Sequence, residues 1–204
     1  MPRLSRDQLL YDGCYAHIIS RSIREMPILR DEEDFMSFLR MLEIVKQQYA
    51  FKIYHYCLMN THFHLAVHIP NVSAFSSAVR KLKTSYIRFF HTKYRLSGPL
   101  WRERYKSLLI ENDPYLFVCG EYIENNPVKA GMVKGVVDWP YSSARYYIKG
   151  VDDRLVDCYD RGAPYRLKGV DVADEDFFEK GHGVGSSFFR FKLRESLAGR
   201  LVVE

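Results

Sequence analysis

Two strand-like runs separated by only two residues constrain the fold of this chain more than any other feature. Phe51 to Met59 (FKIYHYCLM) is dense in aromatic side chains, His62 to Ile69 (HFHLAVHI) alternates cleanly, and Asn60-Thr61 alone lies between them. A link that short allows no crossover, so the pair predicts a tight antiparallel hairpin. The alternation gives each face a character. Phe63, Leu65, Val67 and Ile69 point one way, and His62, His64, Ala66 and His68 the other. The first set already forms a continuous apolar surface, so the histidine face is expected to lie outside the main core.

The elements around the hairpin follow from periodicity. Tyr11 to Arg21 is β-rich and reads as a first strand. Asp31 to Tyr49 reads as a helix, with Phe35, Phe38, Leu39, Leu42, Val45 and Tyr49 at three- and four-residue spacing and Asp31 as N-cap. A second helix is expected from about Ser73 to Tyr94, its stripe formed by Phe75, Val79, Leu82, Tyr86 and Phe89 or Phe90, before Leu96-Ser97-Gly98-Pro99 ends it. Arg104 to Glu111 suggests a fourth strand. Pro114 to Asn125 suggests a third helix, with proline in the first turn, where a missing N–H costs nothing. The order β-α-β-β-α-β with a trailing helix predicts an α+β fold: a ferredoxin-like split β-α-β antiparallel sheet with helices on one face.

After Trp139-Pro140 the pattern weakens. The expected division is one domain over residues 1–150 and an appendage over 151–204, with GHGVG (Gly181 to Gly185) as a linker and Phe188 to Arg200 as a short helical basic tail. GHGVG lacks the preceding strand and following Lys-Ser/Thr of a phosphate loop. With 47% hydrophobic and 27% charged residues in 204, the chain can bury a core, which excludes disorder and collagen. No apolar run approaches the roughly 20 residues of a membrane span. The N-terminal MPRLSRDQLLYDG has no apolar signal region, so the expected location is cytoplasmic. Cys14, Cys57, Cys119 and Cys158 form no CxxC pair, which argues for reduced, mostly buried thiols.

Charge is unevenly placed. From Val79 to Lys106 nine basic residues (Arg80, Lys81, Lys83, Arg88, Lys93, Arg95, Arg102, Arg104, Lys106) face one acid, Glu103, a local +8 within a chain of net +5. Such a block reads either as a nucleic-acid surface or as a solvated helix face. Tyr94 and Tyr105 lie in it, where aromatics can stack on unpaired bases. Trp101 reads as a core anchor or as a DNA contact.

His62 and His64, at i and i+2 on a strand, bring their Cα atoms roughly 6 to 7 Å apart, close enough for both imidazoles to reach one metal ion. His68 shares the face but is too far along the strand to join them. The spacing alone is also compatible with two unliganded histidines. Near the end of the third helix, Tyr122 and Asn126 are four apart and share a side, and Pro127 is expected to end the helix at Asn126. By themselves, these two also read as a helical aromatic and a C-terminal cap.

Taken together, His62-Phe63-His64 after a hairpin, WRERYKSLLI from Trp101, YIENNPVKAGMV from Tyr122 and Asp138-Trp139-Pro140-Tyr141-Ser142-Ser143 resemble the single-tyrosine HUH transposases. These are the insertion sequence 200-like enzymes, and the resemblance extends to their REP-associated tyrosine transposase branch. It covers roughly residues 10 to 148 in the expected order. It implies a single-stranded DNA endonuclease and strand transferase for DNA transposition, acting on DNA with hairpins. By the same resemblance, Tyr122 is the nucleophile on the trailing catalytic helix. His62 and His64 are the HUH histidines, and Asn126 is the third metal ligand, where many members carry glutamine. The cofactor implied is a divalent metal, Mg²⁺ or Mn²⁺. The basic side chains expected to contact DNA are Arg80, Lys81, Lys83, Arg88, Arg102, Arg104 and Lys106. Ordinary imidazoles must be neutral to ligate, so activity is expected to fall below about pH 6. Two other readings fit the same residues: a repeat-hairpin DNA-binding protein that has lost transposition, and a metal-dependent hydrolase using water. Monomer and homodimer are both compatible with the sequence.

Overall fold

The computed structural model describes residues 10–111, 113–158 and 183–184. In chain order these form β1 (Cys14–Arg21), α1 (Glu32–Tyr49), β2 (Lys52–Met59), β3 (His62–Ile69), α2 (Val72–Tyr94), β4 (Lys106–Ile110), α3 (Asp113–Lys129), α4 (Ala144–Lys149) and a two-residue β5 (Gly183–Val184). The fold is α+β. Four antiparallel strands run in the order β2-β3-β1-β4, and β5 adds in parallel at the β4 edge. Apart from Gly183 and Val184, the linker and basic tail read from residues 181–200 lie outside the described residues.

The helices begin and end where local chemistry dictates. Asp31 accepts from the Asp34 amide at the start of α1, and Asn71 accepts from that of Ala74 at the start of α2. Phe35, Phe38, Leu42 and Val45 of α1 and Phe75, Val79, Leu82, Tyr86 and Phe90 of α2 bury together against Ile18, Phe63, Leu65 and Val67 of the sheet. Tyr86 donates to the Ile28 carbonyl within this core. Trp101 is a core anchor, its ring 5.8 Å from that of Phe63. Cys14, Cys57 and Cys119 are free and buried, and Cys158 is free and exposed. Among the described residues no helix is long and apolar enough to cross a membrane.

The opposite face of the sheet is not left open. The trailing helix α3 covers it, packing Leu116, Cys119, Tyr122 and Ile123 on Tyr54, Cys57, Met59, Ala66 and Ile110. The histidine face thus lies outside the main core, as expected, and is the floor of a second one. A β-bulge between Ile53 and His55 helps, turning both Tyr54 and His55 toward α3. The outer edge of β2 is closed by the 141–143 segment: the Leu58 amide donates to the Tyr141 carbonyl and the Ser143 amide to the Tyr56 carbonyl. Leu155 and Val156 enter the first core, and Lys46 pairs with Asp157 at 2.9 Å. The packed chain thus runs past residue 150, where the sequence suggested a boundary.

Candidate active site

Strand register assembles the site from residues far apart in sequence. Arg21 of β1 lies opposite His62 of β3, which lies opposite Met59 of β2. One row along, Lys106, Ile19, His64 and Cys57 align across all four antiparallel strands. His17 belongs to the next row, opposite Ala66. Directly opposed residues share a face, so all of these side chains project toward α3.

From α3, Tyr122 comes down onto this floor. Its ring stands edge-on to both His64 and His17, with centroids 6.2 and 5.9 Å away. The His62 and His64 rings are 4.9 Å apart. His64 is fully buried; its Nδ1 shares a 2.9 Å hydrogen bond with Nε2 of His17, and its Nε2 is buried with no partner among the described residues. His62 turns its Nδ1 to the Thr61 hydroxyl at 2.9 Å.

These imidazoles are held neutral. Burial brings His17 down to about 3, and burial together with Arg21 brings His62 down to about 4. Burial first, then His62, His17 and Arg21, puts His64 well below the ordinary value. The acid limb of ligation expected near pH 6 therefore moves to lower pH. Stability falls with pH in the same direction. With folded values depressed, the unfolded chain takes up protons first, so the histidine contribution is complete above about pH 6.5 and is lost as pH falls toward 4. Each histidine adds a slope of about 1.4 kcal/mol per pH unit in that window. The urea midpoint of the metal-free protein is expected to drop steeply between pH 6.5 and 4.5, and less steeply in His17→Phe. An equal slope in that variant would contradict a neutral, buried His17.

A separate buried network orients α3. His55 Nδ1 donates to Glu124 at 2.9 Å, Ser143 donates to the same carboxylate oxygen at 2.6 Å, and Tyr147 stacks on the His55 ring at 4.4 Å. Beyond Glu124 the helix does not end at Asn126 as expected but continues through Pro127 to Lys129. Proline has no N–H for the Ile123 carbonyl, and the Asn126 amide supplies the donor instead, bonding the Ile123 carbonyl at 3.1 Å and that of Tyr122 at 2.9 Å. Gly131, at φ 67°, then closes the helix as the Met132 amide bonds the Pro127 carbonyl. Lys129 places its Nζ 4.7 Å from the centre of the Tyr122 ring.

A divalent ion fits this donor set. His62 and His64 offer neutral imidazoles, and His64 Nε2 is an orphaned buried atom. The Asn126 side-chain nitrogen is spent on the helix, which leaves Oδ1 as the acceptor atom of that side chain. Among the described residues no three His, Cys, Asp or Glu side chains form a metal cluster.

The basic residues divide sharply. Arg80, Lys81, Arg88, Arg102, Arg104 and Lys106 are exposed. Lys83 is not: only 8% exposed, its amine donates to Ser20 Oγ and to the carbonyls of Glu103 and Arg104, and it sits over the Trp101 ring. It holds the 101–105 segment rather than presenting charge to a phosphate. Lys83→Met is expected to cost about 2 kcal/mol in urea unfolding, because two carbonyls and a hydroxyl lose their donor. It should leave the salt dependence of any nucleic-acid binding unchanged, whereas Arg88→Ala should lower that slope by about 1. Tyr105, bonded to Ser76, and Tyr94, bonded to Asp34, are likewise built into the fold. His68 lies apart from the site, beside Tyr15. The sequence reading missed His17, Arg21 and Lys129. A strict alternation of β1, Tyr15-His17-Ile19-Arg21 against Cys14-Ala16-Ile18-Ser20, carried the signal for the first two.

Residues 10–126, more than half of the chain, match the family described as Transposase IS200 like. A Haemophilus influenzae protein, named as a REP-associated tyrosine transposase, is 34% identical over 114 residues, 50% of this chain and 64% of its own length. The match thus spans less than two thirds of that relative. A solved structure of a REP-associated tyrosine transposase bound to a REP hairpin aligns with a TM-score of 0.61 at 24% identity. It covers 82% of this chain and 99% of that one, a likeness of fold.

Proposed function

The chain belongs to the IS200-like transposases, and from that premise we propose that it nicks and rejoins single-stranded DNA beside hairpins, with Tyr122 as nucleophile. The observation that carries the reading is the packing of Tyr122 edge-on against His64, on the sheet face that also bears His62. In the proposed step the Tyr122 oxygen attacks the scissile phosphorus and the P–O3′ bond breaks. The 3′ oxygen leaves and takes up a proton, and the 5′ phosphate stays on Tyr122 as a phosphodiester. Attack by a DNA 3′-hydroxyl reverses the step and joins strands without ATP.

A phenol of ordinary pKa about 10 is a weak nucleophile at neutral pH, so positive charge close to the reacting oxygens helps the step. Lys129 lies against its ring, while Arg21 and Lys106 bring positive charge to the same sheet face, suited to a phosphate. His62, His64 and Asn126 would hold Mg²⁺ or Mn²⁺, which when bound polarises the scissile phosphate; imidazole ligation favours Mn²⁺. Exposed Arg80, Lys81, Arg88, Arg102 and Arg104 supply backbone contacts to the DNA. The hairpin preference draws on the related structure, which was solved with a REP hairpin.

The test is incubation of the full chain with labelled single-stranded DNA carrying imperfect hairpins from the flanks of its own gene, with Mn²⁺ or Mg²⁺. Denaturing gels are expected to show a covalent protein–DNA species, mapped to Tyr122 by peptide mass spectrometry. Hairpin binding without any adduct would reduce the protein to a DNA-binding role.

A further inference from the structure

We propose that His17 is a positioning residue for metal binding: it accepts the Nδ1 hydrogen of His64 and thereby leaves His64 Nε2 as the ligating atom. The proposal rests on the reading of His64 as a metal ligand, and it adds a residue 47 positions away that no motif contains.

His17 and His64 are fully buried, and the 2.9 Å contact joins two ring nitrogens. Between two neutral imidazoles such a bond holds one hydrogen, which can belong to either ring. When it belongs to His64 Nδ1, His64 Nε2 carries a lone pair and His17 carries its own hydrogen on Nδ1. When it belongs to His17, the hydrogen of His64 sits on Nε2 and blocks ligation. Both arrangements leave one orphaned N–H and one orphaned lone pair, since His17 Nδ1 and His64 Nε2 are both without partners among the described residues. The pair alone therefore prefers neither, and a cation at His64 Nε2 selects the first.

That selection needs an acceptor where His17 Nε2 stands. The two rings lie nearly parallel, with 21° between planes and 5.2 Å between centroids, so His17 also fixes the plane in which His64 presents its lone pair. Both rings lie beneath Tyr122, so the acceptor orients the ligand directly under the nucleophile. An outer partner of this type typically contributes 10- to 100-fold to metal affinity.

The experiment measures Mn²⁺ affinity on the full chain without DNA, from the EPR signal of free Mn²⁺. His17→Phe, which keeps a ring but no acceptor, is expected to weaken Mn²⁺ by about 10- to 100-fold, with His17→Gln, which restores an acceptor, close to wild type. His64→Ala should abolish binding at this site. Wild-type affinity in His17→Phe would overturn the proposal, as would equal loss in Phe and Gln variants that both fold. If wild type and His64→Ala bind Mn²⁺ alike, the assignment of His64 as ligand fails first and carries the proposal with it. A second measurement needs no variant. In ¹⁵N-histidine spectra with saturating Mg²⁺, His17 should carry its hydrogen on Nδ1, and a hydrogen on His17 Nε2 would refute its role as acceptor.

Discussion

Tyr122→Phe is expected to form no covalent DNA adduct, a loss of at least about 10³-fold, while retaining hairpin affinity. The ring supplies the edge-on contacts to His17 and His64 and the face beneath Lys129, and phenylalanine keeps all three. Only the oxygen is removed. The residue is 6% exposed, so a change that preserves ring volume leaves the second core filled. Gel-resolved adduct, hairpin binding and thermal unfolding, measured on one preparation, separate the nucleophile from the binding surface. Strand cleavage that survives the substitution would pass the nucleophile to water, the hydrolase reading.

Gly120→Ala is expected to destabilise the protein by about 3 kcal/mol, which reverses the usual sign of that change in a helix. Elsewhere alanine stabilises a helix interior by about 1 kcal/mol relative to glycine. Here a Cβ would meet the His55 ring at 2.4 Å, inside any real contact. The ring has nowhere to go: Glu124 holds its Nδ1 and Tyr147 covers its face. Either His55 rotates and leaves a buried carboxylate short of a donor, or α3 lifts from the sheet. The first removes the bond that orients the helix carrying Tyr122 and the second displaces that helix, so adduct formation should fall together with the urea midpoint. A Gly120→Ala protein more stable than wild type would show that α3 is not seated on β2 by this contact.

Much of the fold was legible because its signals are local. The two-residue link between Met59 and His62, the alternation of β3 and the apolar stripes of α1 and α2 are each readable within a single element. The helical spacing of Tyr122 and Asn126 was legible for the same reason, as was the strand spacing of His62 and His64. The end of α3 was misread because Pro127 signals termination locally, whereas the Asn126 side chain repairs the missing bond. Lys83 was misread because a charge count records the presence of an amine and not the carbonyls folded around it.

The sequence by itself determined the element order, the faces of the hairpin and the spacing of the family's motifs, since these depend on neighbours a few residues apart. Tertiary structure alone decided that α3 closes the histidine face, that His17 reaches His64 and that His55 reaches Glu124. Those contacts join residues 47 and 69 positions apart. They exist only once strand register and helix docking have aligned them, and register is a property of paired strands that no single segment carries.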